Sequence, residues 1–169
     1  RYLDFNFNRI HQTTMGLEIE RKFLLKNDTW KLEADNGLEI KQGYLSSVIE
    51  RTVRVRVIGG KGMLTVKGKT DNLTRKEFEY EIPFNEAISL LDLCETPIIE
   101  KKRYLVKRDS LVWEIDIFEG ENEGLKVAEV ELDSEAQSFE LPDWVGNEVS
   151  QESKYYNSAL IANPFKNWK

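Results

Sequence analysis

From Leu17 to Leu132 the side chains alternate between apolar and polar with period two, segment after segment. That rhythm belongs to β-strands with unlike faces and not to helices. About eight such segments can be drawn: Leu17–Leu25, Ile40–Ser46, Thr52–Ile58, Met63–Lys69, Arg75–Ile82, Ile99–Val106, Leu111–Phe118 and Leu125–Leu132. The polar face is charged and carries both signs, clustered by strand. Its cations are Lys22, Arg54, Arg56, Lys67, Lys69, Lys101 and Arg103, with Arg75 opening the fifth segment. Its carboxylates are Glu18, Glu20, Glu77, Glu79, Glu81, Glu114, Asp116, Glu129 and Glu131. An open antiparallel sheet could leave such a face in water. If the sheet closes with its apolar side outward, the same groups converge on a polar lumen, because alternate residues of every strand point inward. Carboxylates two residues apart are oxygen donors for a hard cation such as Mg2+ or Mn2+, and Lys and Arg neutralise phosphate oxygens. The ligand implied is a polyphosphate with its metal.

Composition removes most other chemistry. With 24 Lys and Arg against 30 Asp and Glu the formal net charge is −6, so neither nucleic acid nor an anionic membrane is an expected partner. No apolar run has the length of a membrane-spanning helix and none has the make-up of a signal peptide, which points to the cytoplasm. Cys94 is the one cysteine and His11 the one histidine, so an internal disulfide, a Cys-rich zinc site and His-dependent nucleophilic catalysis lack raw material. Residues 1–14 precede Met15 and read as a leader or expression scar outside the fold, leaving 15–169 as a single domain.

Between the strands, a helix is expected over Asn85 to Cys94, with Asn85 as N-cap, Ile88 and Leu91 on its apolar face and Pro97 ending it. Cys94 reads as a small buried hydrophobe on that face. A short helix near Asp28–Ala34, a loop or helix around Asp133–Phe139 and a C-terminal helix over roughly Gln151–Ala162 complete the expectation. Gly59-Gly60-Lys61-Gly62 lacks the spacing of a phosphate loop and reads as a hairpin turn. Trp113 reads as core, and Tyr155 as either core or a stacking platform.

Glu18-Ile19-Glu20-Arg21-Lys22 resembles the N-terminal ExExK signature of the CYTH, or triphosphate tunnel metalloenzyme, superfamily. It is followed in order by Arg54-Val55-Arg56, Thr65-Val66-Lys67, Arg75 with Glu77 and Glu79, Lys101 with Arg103, Trp113-Glu114-Ile115-Asp116, Ala128-Glu129-Val130-Glu131 and Glu148-Val149-Ser150. Lys154-Tyr155-Tyr156-Asn157-Ser158 is similar to the family's closing helix, with Ser150 where Thr and Lys154 where Arg is common. The resemblance implies an α+β fold: an eight-stranded antiparallel closed β-barrel, a tunnel, with helices packed outside. It further implies Mg2+ or Mn2+ held by Glu18, Glu20, Glu129 and Glu131, with Glu79 and Asp116 as further ligands, and phosphates held by Lys22, Arg54, Arg56, Lys67, Lys101 and Arg103. Lys22, Asp116 and Glu129 are the residues it places at the reaction, where a carboxylate orients the attacking water.

The function expected is metal-dependent hydrolysis of inorganic tripolyphosphate, since the chain is short and shows no insertion to build a base-specific pocket. The alternatives are adenylate cyclisation, an organic (thiamine or nucleoside) triphosphatase, or a module that binds polyphosphate without cleaving it. A small triphosphate is the expected partner; the oligomeric state is not legible, a homodimer being one option.

Overall fold

A computed structural model of the chain describes residues 16–168. The expectations for residues 1–14 therefore lie outside the described residues. Nine strands form in chain order: β1 (Leu17–Leu25), β2 (Leu38–Ser46), β3 (Arg51–Ile58), β4 (Lys61–Gly68), β5 (Thr74–Ile82), β6 (Ile99–Arg108), β7 (Leu111–Phe118), β8 (Lys126–Glu131) and β9 (Val145–Glu148). They are joined antiparallel in the order β5-β4-β3-β2-β6-β7-β8-β1-β9, and β1 also pairs with β5. That last pairing closes the first eight strands of this order into a barrel, so the charged face read from the sequence turns inward.

β1 is the seam. One edge pairs with β8 from Glu20↔Glu131 to Leu24↔Val127. The other edge is divided: Leu17–Ile19 pair with β5, whereas Phe23 and Leu25 pair with β9. β9 has no counterpart among the eight segments read from the sequence. Its four residues, Val-Gly-Asn-Glu, are too few to display an alternation. Across the barrel, Gly59 and Gly60 join β3 to β4 with φ of 54° and 79°, the left-handed values a two-residue hairpin requires. The hairpin reading of this glycine run therefore holds, although Gly62 itself lies inside β4.

The apolar faces pack outward, but helices cover only part of them. Helix α1 (Phe84–Leu91) lies over β3 and β4 through Ala87, Leu91 and the following Cys94, which bury against Val55. Gly62 and Gly43 permit that approach: a Cβ at Gly62 would sit 2.5 Å from the Ala87 Cβ, and one at Gly43 2.6 Å from the Cys94 Cβ. The N-cap is Pro83 and not Asn85, and the helix stops at Leu91, after which Leu93 and Cys94 continue in tighter turns bonded to Leu90 and Leu91. On the opposite side, β1, β6, β7 and β8 bury Phe23, Trp113, Ile115, Ala128 and Val130 beneath loop residues Trp30, Phe139 and Trp144. Trp113 is 1% exposed, core as expected. The segment at Asp28–Ala34 forms only a 3-10 turn, Thr29–Leu32, and 133–139 holds bends and turns without a helix.

The C-terminal segment departs furthest from the expected continuous helix. A 3-10 turn, Ser153–Tyr155, is separated from the single-turn helix α2 (Ala159–Ala162) by an extended Tyr156 with φ −68° and ψ 136°. Leu160 and Ile161 bury against Ile99, Phe118 and Val127. Those three share strand parity with the lumen groups Lys101, Asp116 and Glu129, so the inner face turns apolar at that end and the C-terminal segment plugs it. Tyr155 belongs to this plug, 9% exposed and edge-on to Trp168 at 5.0 Å, and does not line the lumen.

Candidate active site

The inward parity of seven strands delivers charged groups to one cavity of about 360 Å³. β1 contributes Glu18, Glu20 and Lys22, β3 contributes Arg54 and Arg56, and β4 contributes Lys67. β5 adds Arg75, Glu77 and Glu79, β6 adds Lys101 and Arg103, β7 adds Glu114, and β8 adds Glu129 and Glu131. Three expected members fall outside its lining: Asp116, which is buried behind it, Lys69 and Glu81. Lys69 lies beyond the end of β4 and is exposed, whereas Glu81 is still in the wall, opposite Met63 of β4, with its side chain turned to Lys61 at 3.5 Å.

The wall made by β6, β7 and β8, with Lys22 of β1, neutralises itself. Asp116 is wholly buried and does not line the cavity; its Oδ2 accepts from Lys101 Nζ at 2.6 Å and from Arg103 Nη2 at 2.7 Å, and its Oδ1 accepts from Arg103 Nε at 2.7 Å. Arg103 also donates to Glu114 and to Glu129, the latter at 3.4 Å. Lys22 Nζ donates to Glu129 Oε1 at 2.7 Å. Burial raises the pKa of Glu129, but Lys22 and Arg103 overcome this and hold it well below the usual range. Burial pushes Lys101 down to about 8 against the attraction of Asp116.

The wall made by β3, β4 and β5 is less saturated. Glu79 Oε2 accepts from Thr65 Oγ1 at 2.6 Å, and from Arg54 and Arg56 at 3.3 and 3.4 Å. Its other oxygen, together with Nε of Arg54 and of Arg56, is buried without a hydrogen-bond partner among the described residues. Such orphaned groups each cost roughly 1–3 kcal/mol unless a ligand satisfies them. Burial, followed by the neighbouring Arg54, lowers the pKa of Arg56, the mark of a cation short of negative charge. Next to this wall, Lys67 Nζ donates to both Glu18 oxygens at 2.9 Å and Arg75 Nε to one of them at 3.1 Å. Glu77, crowded by burial and then by Glu18, is pushed up to about 7.

Glu20 presents the opposite imbalance. It lies between the carboxylates of Glu18 and Glu129, and burial, then Glu129, then Glu18 raise its pKa well above the usual value. Its strand partner on β8 is Glu131. Among the described residues no three carboxylates are already drawn into a ligating cluster. The donor set of β1 and β8 is nonetheless all oxygen, as a hard divalent cation requires, and Glu20 is the carboxylate whose charge most needs a cation. These residues fit such a metal.

Several further groups at the cavity were given no role from sequence. Tyr44 and Gln42 of β2 follow the inward parity, Gln42 wholly buried and Tyr44 lining the cavity. Ser150, Tyr156 and Asn157 of the C-terminal segment also line it. Parity puts the first two on the inward face; the others are visible in sequence only through the family resemblance of Glu148-Val149-Ser150 and Lys154-Tyr155-Tyr156-Asn157-Ser158, because they enter from outside the barrel wall.

A closed eight-stranded tunnel lined by both signs of charge defines the class, and the comparisons agree with it. Residues 16–160 match the CYTH domain family, and the chain belongs to that family. It is 49% identical over 156 residues to an inorganic triphosphatase of Acetivibrio thermocellus, spanning 92% of this chain and 99% of that one. It is 35% identical over 147 residues to an inorganic triphosphatase of Nitrosomonas europaea, 85% of this chain and 95% of that one. A crystal structure of an inorganic triphosphatase superposes with a TM-score of 0.62 at 33% identity, covering 87% of this chain and 96% of the other. CYTH triphosphatases are in general dependent on a divalent metal. Among the described residues no helix is long and apolar enough to cross a membrane.

Proposed function

We propose that this protein hydrolyses inorganic tripolyphosphate with Mg2+ or Mn2+. The observation that carries the reading is the pair of opposite imbalances in one cavity: on β3 an under-neutralised Arg56, with Nε of both Arg54 and Arg56 unpartnered among the described residues, and on β1 an under-neutralised Glu20. A linear polyanion bound with a divalent cation relieves both at once; a bare anion or a bare metal relieves one. The relatives named inorganic triphosphatase support the choice of triphosphate.

In this reading Arg54, Arg56, Lys67, Lys22, Lys101 and Arg103 hold the phosphates, the arginines as forked donors and the lysines as point charges. Glu18, Glu20, Glu129 and Glu131 would hold the metal, which supplies charge neutralisation at the phosphoryl group. Glu79 and Asp116 are assigned a different part. With Asp116 accepting three bonds and Glu79 three, they orient the cations they bind. Hydrolysis forms a bond from water oxygen to the terminal phosphorus and breaks the bridging P–O bond, releasing orthophosphate and pyrophosphate. Positioning and electrostatics accomplish most of this, and no nucleophilic side chain is needed. We assign the water-orienting part to Glu129 or Glu131, which line the cavity, and not to Asp116, which does not.

The test is phosphate release from tripolyphosphate, ATP and thiamine triphosphate, each with Mg2+, Mn2+ or EDTA. Metal-dependent release with tripolyphosphate as the best substrate is expected. Cyclic nucleotide formation from ATP, or tight tripolyphosphate binding without release under every metal, would overturn the reading in favour of a cyclase or a binding module.

A further inference from the structure

The break in the C-terminal segment has a chemical consequence inside the tunnel. Because Tyr156 is extended, the next residue turns inward from outside the barrel wall and lines the cavity. There the Asn157 Oδ1 accepts from Lys101 Nζ at 3.1 Å and from Gln42 Nε2 at 3.1 Å. Gln42 is wholly buried and so fixes the amide, and Leu160 and Ile161, buried at the barrel's end, anchor the segment that carries it.

We propose that Asn157 is a positioning residue that holds the Lys101 ammonium in the tunnel for phosphate. This rests on the triphosphate reading above. An ammonium has three donors and no acceptor. One Lys101 donor goes to Asp116 Oδ2 at 2.6 Å and one to Asn157, which leaves the third for a ligand oxygen. The two acceptors differ in place: Asp116 is buried outside the cavity lining, whereas Asn157 is part of that lining. Together they suspend a flexible four-carbon stem between the wall and the lumen. Without Asn157 the remaining anchor is the carboxylate in the wall, and Coulomb attraction draws the ammonium back toward it. The C-terminal segment, distant in sequence from every charged strand position, thus completes the phosphate site.

The test uses the full chain with Asn157→Leu, near in volume but without the acceptor, and Asn157→Ser, too short to reach Lys101. Tripolyphosphate binding is measured by calorimetry in EDTA, and KM and kcat with metal. Both variants should weaken binding and raise KM by roughly tenfold, about one hydrogen bond to a charged group, with kcat changed far less. In a Lys101→Met background the same substitutions should add nothing, because the residue acts through Lys101. Unchanged affinity in either folded variant, or an equal loss with and without Lys101, overturns the proposal. The serine variant keeps the test decisive should the leucine variant misfold. A parent protein that neither binds nor cleaves tripolyphosphate would instead refute the function on which the proposal rests.

Discussion

The two walls of the tunnel carry similar residues in unlike states. On the β6–β8 wall the ion pairs of Lys22, Lys101 and Arg103 with Glu129 and Asp116 include contacts of 2.6–2.7 Å, and Asp116 has both oxygens occupied. On the β3–β5 wall Arg54 and Arg56 reach the same Glu79 oxygen at 3.3 and 3.4 Å, and the other Glu79 oxygen and both Nε atoms lack partners among the described residues. The first wall has its charges paired within the protein, so the cations that meet a ligand there, Lys22, Lys101 and Arg103, are already held in place by that scaffold. The second is held short of satisfaction, so a bound anion gains there what folding left unmade. Charge alone does not set what a group gains from a ligand; the degree to which the fold has already neutralised it does.

The sharpest way to break this comparison is to remove the scaffold's shared acceptor. Asp116→Ala leaves Lys101 and Arg103 buried without it and should destabilise the protein by about 3–5 kcal/mol in urea denaturation. A loss within about 1 kcal/mol, comparable to an exposed pair, would put Asp116 on the ligand side of the divide. Next in size is Glu20→Gln. It removes the repelled carboxylate and should reduce turnover at least hundredfold, about 2.7 kcal/mol, while the Tm holds or rises as repulsion is relieved. A Tm fall with activity intact would mean that Glu20 is structural.

Arg56→Ala probes the other wall. It should lower kcat/KM about tenfold or more, about 1.4 kcal/mol, with little change in stability, and should shrink the Tm rise that tripolyphosphate gives the parent. A large loss of stability with no change in that ligand-induced rise would make the two walls alike. The smallest effect is expected outside the tunnel, where Arg21 makes a two-pronged pair with Glu148 at 2.9 and 2.6 Å on an accessible surface. Arg21→Ala should cost less than about 1 kcal/mol and leave KM and kcat unchanged. A kinetic effect would show that the β1–β9 pairing reports into the cavity.

The period-two alternation determined the strands, and parity determined which charged side chains share a face: Glu18, Glu20, Lys22, Arg54, Arg56, Lys67 and most of the others named from it line one cavity. That much is local, because a strand's two faces are fixed by its own backbone. Parity carries no information about strand length or depth: Lys69 lies past the end of β4, Glu81 is exposed beside Lys61, and Asp116 is buried behind the lining. Other features rest on contacts between residues far apart in sequence. β9 forms because Phe23 and Leu25 offer it an edge, and the C-terminal helix breaks at Tyr156 where Asn157 meets Gln42 and Lys101. The division between saturated and unsaturated walls is of the same kind. In sequence Asp116 and Glu79 are each a carboxylate on an alternating strand. Only the register that sets Asp116 beside Arg103 and Glu79 beside Thr65 decides how many donors each one meets. A neighbour's charge acts through distance and burial, and both are properties of the closed barrel.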